Sequence, residues 1–174
     1  MQQRIAMFLP LVVAFLATTR LGPAPACASA EDNKQLVRHF TEEVYNQHKK
    51  ASIDVYVHPD FADHSPGTGA DARGIDYVKA QWDRNFAAFP DLRFTLDDVL
   101  AEGDKVVARW TSDSTFTGAL GGVAGKGQKV SVQGVSIFRI QDGKIIESWD
   151  FVDRAGMMQQ AGFKLVPPEK PSAK

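Results

Sequence analysis

The sequence predicts an α+β domain in which a curved antiparallel sheet wraps around N-terminal helices, giving a cone-shaped α+β barrel. Three observations predict it. Apolar residues recur at helical spacing in two segments of the first half of the chain. From Leu92 onward the period drops to two, in several runs separated by turn residues. Helices followed by a meander of strands, without internal repeats, give the element order of a segregated α+β fold.

The chain opens MQQR, continues with an apolar run from Ile5 to Leu16, and then reads RLGPAPACASA. A basic start, a short apolar core and the small residues Ala28 and Ala30 identify residues 1–30 as a secretory signal peptide, with cleavage expected after Ala30. The run is too short to span a bilayer, and Pro10 interrupts it. A lipid anchor on Cys27 is the weaker alternative, because Ala24, Pro25 and Ala26 lack a large aliphatic residue upstream. The expected location is periplasmic or secreted. One domain, 31–163, follows, and the Pro- and Lys-rich tail 164–174 is expected to be disordered.

Within the domain, Leu36, Val37, Phe40 and Val44 share one face of a helix expected over 32–49. VHPDFADHSPGTGADARG, with two prolines and several glycines, reads as a loop. A second helix is expected over 75–88, with Ile75, Val78, Trp82 and Phe86 on its inner side. Phe89-Pro90 ends it, since the residue before proline avoids the helical region. Leu92, Phe94 and Leu96 alternate, and Asp97-Asp98 marks a strand bend in water. KVVARWTSDSTFTG, QKVSVQGVSIFRI and KIIESWDF are the strands that follow. Asp142-Gly143 is a hairpin signal between the last two. Asp153 is placed to cap a short final helix through Met157, Met158 and Gln159.

Composition narrows the function classes. Removal of Arg4 and Arg20 with the signal peptide takes the net charge from −1 to −3, and no basic stripe is left to track phosphates, so nucleic acid is not an expected partner. The single cysteine lies in the signal segment, which leaves the domain without a disulfide, a thiol nucleophile or a thiolate metal site. HPDFADH gathers His58, Asp60, Asp63 and His64, but in no helical metal-binding spacing, and no metal site is expected there. GALGGVAGKGQK fails the phosphate-loop pattern, because Gly127 follows Lys126 where Ser or Thr is needed. It reads as a flexible rim loop between strands. No serine sits in a nucleophile elbow.

FPDLRFTLDDVLAEGDKVVARWT and FRIQDGKIIESWDFVDRAGMMQQAG, together with HPDF, resemble the SnoaL-like polyketide cyclases and ester cyclases of the nuclear transport factor 2-like superfamily. The resemblance spans the domain from the first helix to Gly162. It implies a cystatin-like cone and an acid/base enzyme with no metal or organic cofactor. The reaction implied is an intramolecular aldol-type ring closure, isomerisation or related lyase step on a carbonyl compound. Asp150 matches the aspartate that acts as general acid/base in the family. Ser136 stands where the family pattern has a histidine, and Asp63 and His64 fall near the polar residue that follows the HPD turn.

Whether Asp150 faces a pocket depends on the hairpin register. A two-residue Asp142-Gly143 turn would oppose Ile140 to Ile145 and Val135 to Asp150. A three-residue loop, Gln141 to Gly143, shifts the register by one and is preferred. It puts Ser136, Phe138, Ile146, Ser148 and Asp150 on one face, and Arg139, Ile145, Glu147 and Trp149 on the other. Glu147 would then pair with Arg139 near water, while Asp150 turns inward. Lost hydration would raise its pKa from the ordinary ~4 and make it a better base. His64, on a loop closing the mouth, is expected to assist. Asp63, Trp82, Phe86, Trp110, Ser136 and Phe138 are the expected substrate contacts, with Trp110 and Phe138 as the preferred walls. A homodimer through the sheet is expected, and an exported, non-catalytic binder of a small apolar ligand is the alternative function.

Overall fold

The structure, a computed structural model, describes residues 29–67, 69 and 72–164. The proposed signal peptide, apart from Ser29 and Ala30, and the tail beyond Lys164 lie outside the described residues.

Helix α1 (Ala30–Phe40) starts from a capping box: Ser29 Oγ accepts from Asp32 N at 3.1 Å, and the Asp32 carboxylate accepts from Ser29 N at 3.0 Å. It runs on as a π-helical segment (Thr41–Asn46), where Thr41 Oγ1 donates to the Val37 carbonyl. The expected helix therefore stops at Asn46, short of Lys49. Asn46 also clamps the sheet edge, donating to Phe94 O at 3.0 Å and accepting from Phe94 N at 2.8 Å. A 3₁₀ turn (Lys50–Ser52) and the short α2 (Ile53–Tyr56) follow. Neither has enough residues to display a period in the sequence.

VHPDFAD is not a loop but strand β1 (Val57–Asp63), an edge strand that runs parallel to the last strand. Its register is irregular between Val57 and Ala62, around Pro59, which has no N–H to give a ladder. The sheet is thus mixed rather than purely antiparallel. Helix α3 (Gly74–Ala88) occupies the expected span. The remaining strands are β2 (Arg93–Glu102), β3 (Lys105–Phe116), β4 (Ala119–Leu120), β5 (Val123–Ala124), β6 (Gln128–Gln141) and β7 (Lys144–Val152). The main sheet has the order β1-β7-β6-β3-β2, curved and not closed into a barrel, while β4 and β5 make a small hairpin of the rim segment. A register shift between Leu96 and Asp98 is the bend expected at Asp97-Asp98, with both carboxylates held by Arg109. Asp153 caps α4 (Arg154–Gln160) by accepting from Gly156 N at 2.8 Å. Gln160 then pairs with the backbone N–H and C=O of Ser131, beyond the end of β7.

The hairpin reaches the expected pairing by another route. Asp142 and Gly143 both have positive φ, 51° and 70°, so the turn has two residues, and Ile140 opposes Ile145. A bulge at Ile146 then shifts the register, Arg139 opposes Glu147, and Ser136 opposes Asp150. Ile145, not Ile146, consequently packs in the core, at 1% exposure.

Two apolar clusters fill the space under the sheet. One joins Val37, Phe40 and Val44 of the first helical run to Val57, Val106, Ile140 and Ile145. The other gathers Phe89, Leu92, Phe116, Val130 and Val132 near α4. Between them the packing leaves a hollow.

Candidate functional site

The hollow has a volume of about 420 Å³ and is walled by both clusters, among them Phe40, Phe61, Phe89 and Val132. Strand alternation supplies its polar seam. Residues of even number on β3 and β6 face inward, so Ser112, Ser114 and Ser136 line it, and after the Ile146 bulge Ser148 and Asp150 of β7 do so too. The odd-numbered partners Arg139, Glu147 and Trp149 are left on the outer face.

Asp150 is held from several sides. One carboxylate oxygen accepts from the Ser136 hydroxyl, which in turn accepts from the Trp110 indole N–H at 2.9 Å. The other lies 3.3 Å from Ser65 Oγ and 3.4 Å from Ser148 Oγ. Asp150 N donates to Ser65 Oγ at 2.9 Å. Burial pushes the Asp150 carboxyl up from its ordinary range; the Ser136 hydrogen bond opposes that shift and the nearby charge of Asp63 adds to it. Trp110 can cross over β6 because its partner there is Gly134, whose missing side chain makes room for the indole ring.

Asp63 ends β1 opposite Ser148, and the pairing therefore turns its side chain inward. It accepts from Ser65 N at 2.8 Å, from the Ser65 hydroxyl, and from the Tyr77 hydroxyl at 2.9 Å. His64, one residue on, goes the other way. Its N–H donates to Ser148 O at 2.8 Å, which extends the strand pairing and sends the ring outward, stacked on Trp149 with centroids 4.9 Å apart. His64 Nε2 lies 3.6 Å from Glu147 Oε1, whose other oxygen accepts from Arg139 Nε at 2.6 Å. Arg139 holds the Glu147 carboxyl below the usual carboxylate range. The expected encounter of His64 with Asp150 thus does not form, because consecutive strand residues take opposite faces.

Of the remaining expected contacts, Ser136, Trp110 and Phe138 line the hollow, whereas Trp82 and Phe86 do not. Trp82 donates its indole N–H to Val44 O at 3.0 Å and packs on Phe86, whose ring stacks on Tyr45. On α3 the cavity face is instead Val78, Gln81 and Asn85. Ser65, Tyr45 and Tyr77 were missed. Asp63-x-Ser65 is a side-chain turn spacing that would have flagged Ser65. Tyr45 lines the hollow next to the two carboxylates, and burial first, then Asp150 and Asp63, push its hydroxyl up. Nothing in the sequence singles out either tyrosine.

A curved, mixed sheet over helices, not closed into a barrel, is the arrangement of the nuclear transport factor 2-like folds. The family model for the SnoaL-like polyketide cyclases matches residues 35–161, and the chain belongs to that family. Among solved structures it is similar to TsrD from Streptomyces laurentii, at 34% identity and TM-score 0.68, over 77% of this chain and 97% of that one. It is also similar to a candidate SnoaL-like polyketide cyclase from Jannaschia sp. CCS1, at 26% identity and TM-score 0.71, over 84% of this chain and 100% of that one. AclR from Streptomyces galilaeus, a candidate hydroxylase, aligns at 27% identity and TM-score 0.69, over 77% and 98% of the two chains. No curated protein matches the sequence.

Proposed function

We propose that this protein is a cofactor-independent enzyme acting on a small, mostly apolar carbonyl compound, with Asp150 as general base and then general acid. In this reading Asp150 removes a proton from the carbon next to a carbonyl, the resulting enolate attacks a second carbonyl of the same molecule, and Asp150 returns the proton to the new alkoxide. The same proton transfers without ring closure would give an isomerisation. The observation that carries this reading is the Asp150 carboxylate on the inner face, hydrogen-bonded by a Ser136 hydroxyl that Trp110 fixes in turn. Desolvation raises its basicity, and the apolar hollow beside it holds a substrate away from water. Its volume falls within the range of small-molecule sites.

The test is turnover by Asp150→Asn on a diketide- or polyketide-like carbonyl substrate. Loss of activity by a factor of about 10² or more is expected, with folding intact; a fully active variant removes Asp150 from the mechanism.

One observation favours a second reading. Ser136, which by the sequence resemblance stands where the family pattern has a histidine, has no basic nitrogen of its own, so a non-catalytic binder of an apolar ligand would need nothing more than is present. Ligand retention without turnover in both the parent and Asp150→Asn would select it. We also read the N-terminal segment as an export signal, giving a periplasmic or secreted protein, and the outer face of the sheet as a homodimer surface.

A further inference from the structure

Asp63 and Asp150 face the same hollow from the paired strands β1 and β7, and the hydroxyl of Ser65 lies between them. A hydroxyl has one proton and so serves one carboxylate at a time. Ser65 Oγ donates to Asp63 while accepting from Asp150 N at 2.9 Å. Asp63 also accepts from Tyr77 at 2.9 Å, Tyr77 accepts from Gln81 Nε2 at 3.1 Å, and Gln81 Oε1 accepts from Arg84 Nε at 2.9 Å. A train of donors thus descends α3 from the exposed Arg84, every bond pointing toward Asp63. Around Asp150 the hollow is lined by Tyr45 from the π-helical segment and Arg154 from the start of α4, while the uncharged Ser136 of β6 donates to it and Trp110 of β3 donates to Ser136. Asp63 is the acidic neighbour whose charge acts on it.

We propose that Asp63 is a positioning residue acting on Asp150 through Ser65, so that the two carboxylates form one unit that takes up and stores a single proton. The proposal rests on Asp150 being the acid/base group. The step balances within the site: the C–H electron pair stays on the substrate as the enolate and its proton moves to Asp150. Asp150 then donates to Ser65 Oγ, whose own proton points to Asp63. When the ring closes, the alkoxide takes the proton from Asp150 and the original bonds return. Asp63 gains no proton. Its charge makes Asp150 a stronger base, and its acceptor oxygen keeps Ser65 oriented to receive the Asp150 hydroxyl.

Titration of the Asp150 carboxyl by ¹³C NMR in the substrate-free protein tests the linkage whether or not turnover is found. Asp63→Asn removes the like charge, and Asp150 is expected to bind its proton about tenfold more weakly. Ser65→Ala keeps that charge but removes the acceptor for the Asp150 hydroxyl, so here too the proton is expected to bind more weakly. Ser148→Ala removes a side-chain donor to the same carboxylate, and there the proton is expected to bind more tightly. Weaker binding in Asp63→Asn and Ser65→Ala with tighter binding in Ser148→Ala supports the proposal. A merely structural loosening would move all three variants the same way, and that result, or any other combination, overturns it. Should Asp63→Asn fail to fold, the serine pair decides: a fall in Ser65→Ala with a rise in Ser148→Ala supports the linkage, and any other outcome sinks it. Unchanged turnover in Asp150→Asn would count against the proposed function and leave these titrations untouched, so the two failures are distinguishable.

Discussion

Asp150 binds its proton more tightly in the folded chain than in the unfolded one, because burial, and then the charge of Asp63, disfavour its ionised form. Between the unfolded value near ~4 and the raised folded value, the folded state therefore holds more protons. The resulting stability is fully present below the unfolded value and is lost as pH rises through the folded one. Asp150→Asn removes a charge that destabilises the fold at neutral pH. Its denaturation midpoint at pH 7 is expected to equal or exceed that of the parent, and the advantage should vanish near pH ~4. A variant that loses ground to the parent on going from acid to neutral pH would contradict this sign. His64 makes the complementary point about legibility: a histidine one residue from an inward aspartate looks equally available to the site until the strand pairing assigns it the other face.

The hairpin between β6 and β7 decides which carboxylate enters the hollow. Asp142-Gly143 was legible as a turn because both positions take φ > 0 in a type I′ hairpin, which Gly and Asp tolerate. The bulge at Ile146 was not, since one isoleucine beside another gives no sign of which leaves the ladder. Gly134 is the other device at this scale. A Cβ built there would lie 2.6 Å from Trp110 Cη2 and closer still to Cζ2. Gly134→Ala is expected to cost about 1–3 kcal/mol and to loosen the Trp110–Ser136 bond, measured as a lower urea midpoint and altered tryptophan fluorescence. An unchanged midpoint would mean the indole has room to move. At the other end of the chain, cleavage after Ala30 would remove Ser29, and with it a cap of a kind worth about 1 kcal/mol.

At the level of the whole molecule, the inner face of the sheet is committed to the hollow and the helices, while the outer face keeps apolar groups in reach of water. Phe151 is 51% exposed, next to Val135, and Ile137 opposes Trp149. Burying this strip against a second copy is the proposed dimer contact. Native mass spectrometry of the exported protein examines both whole-molecule proposals. A mass of twice the chain without its leader is expected. A single-chain mass at micromolar concentration would end the dimer proposal, and a retained leader would end the export one.

Periodicity determined the helix α3, the strands β2, β3, β6 and β7, and the α+β order, because burying one face of an element repeats apolar residues at that element's own spacing. Motif likeness added the family and Asp150. The sequence could not fix β1, whose proline and acidic residues imitate a turn until a parallel partner covers them. It could not fix the bulge, the outward turn of His64, or the meeting of Asp63, Ser65 and Asp150 across 85 residues of chain. Those are decided by contacts between residues far apart in sequence, and only the packed sheet brings them within hydrogen-bond distance.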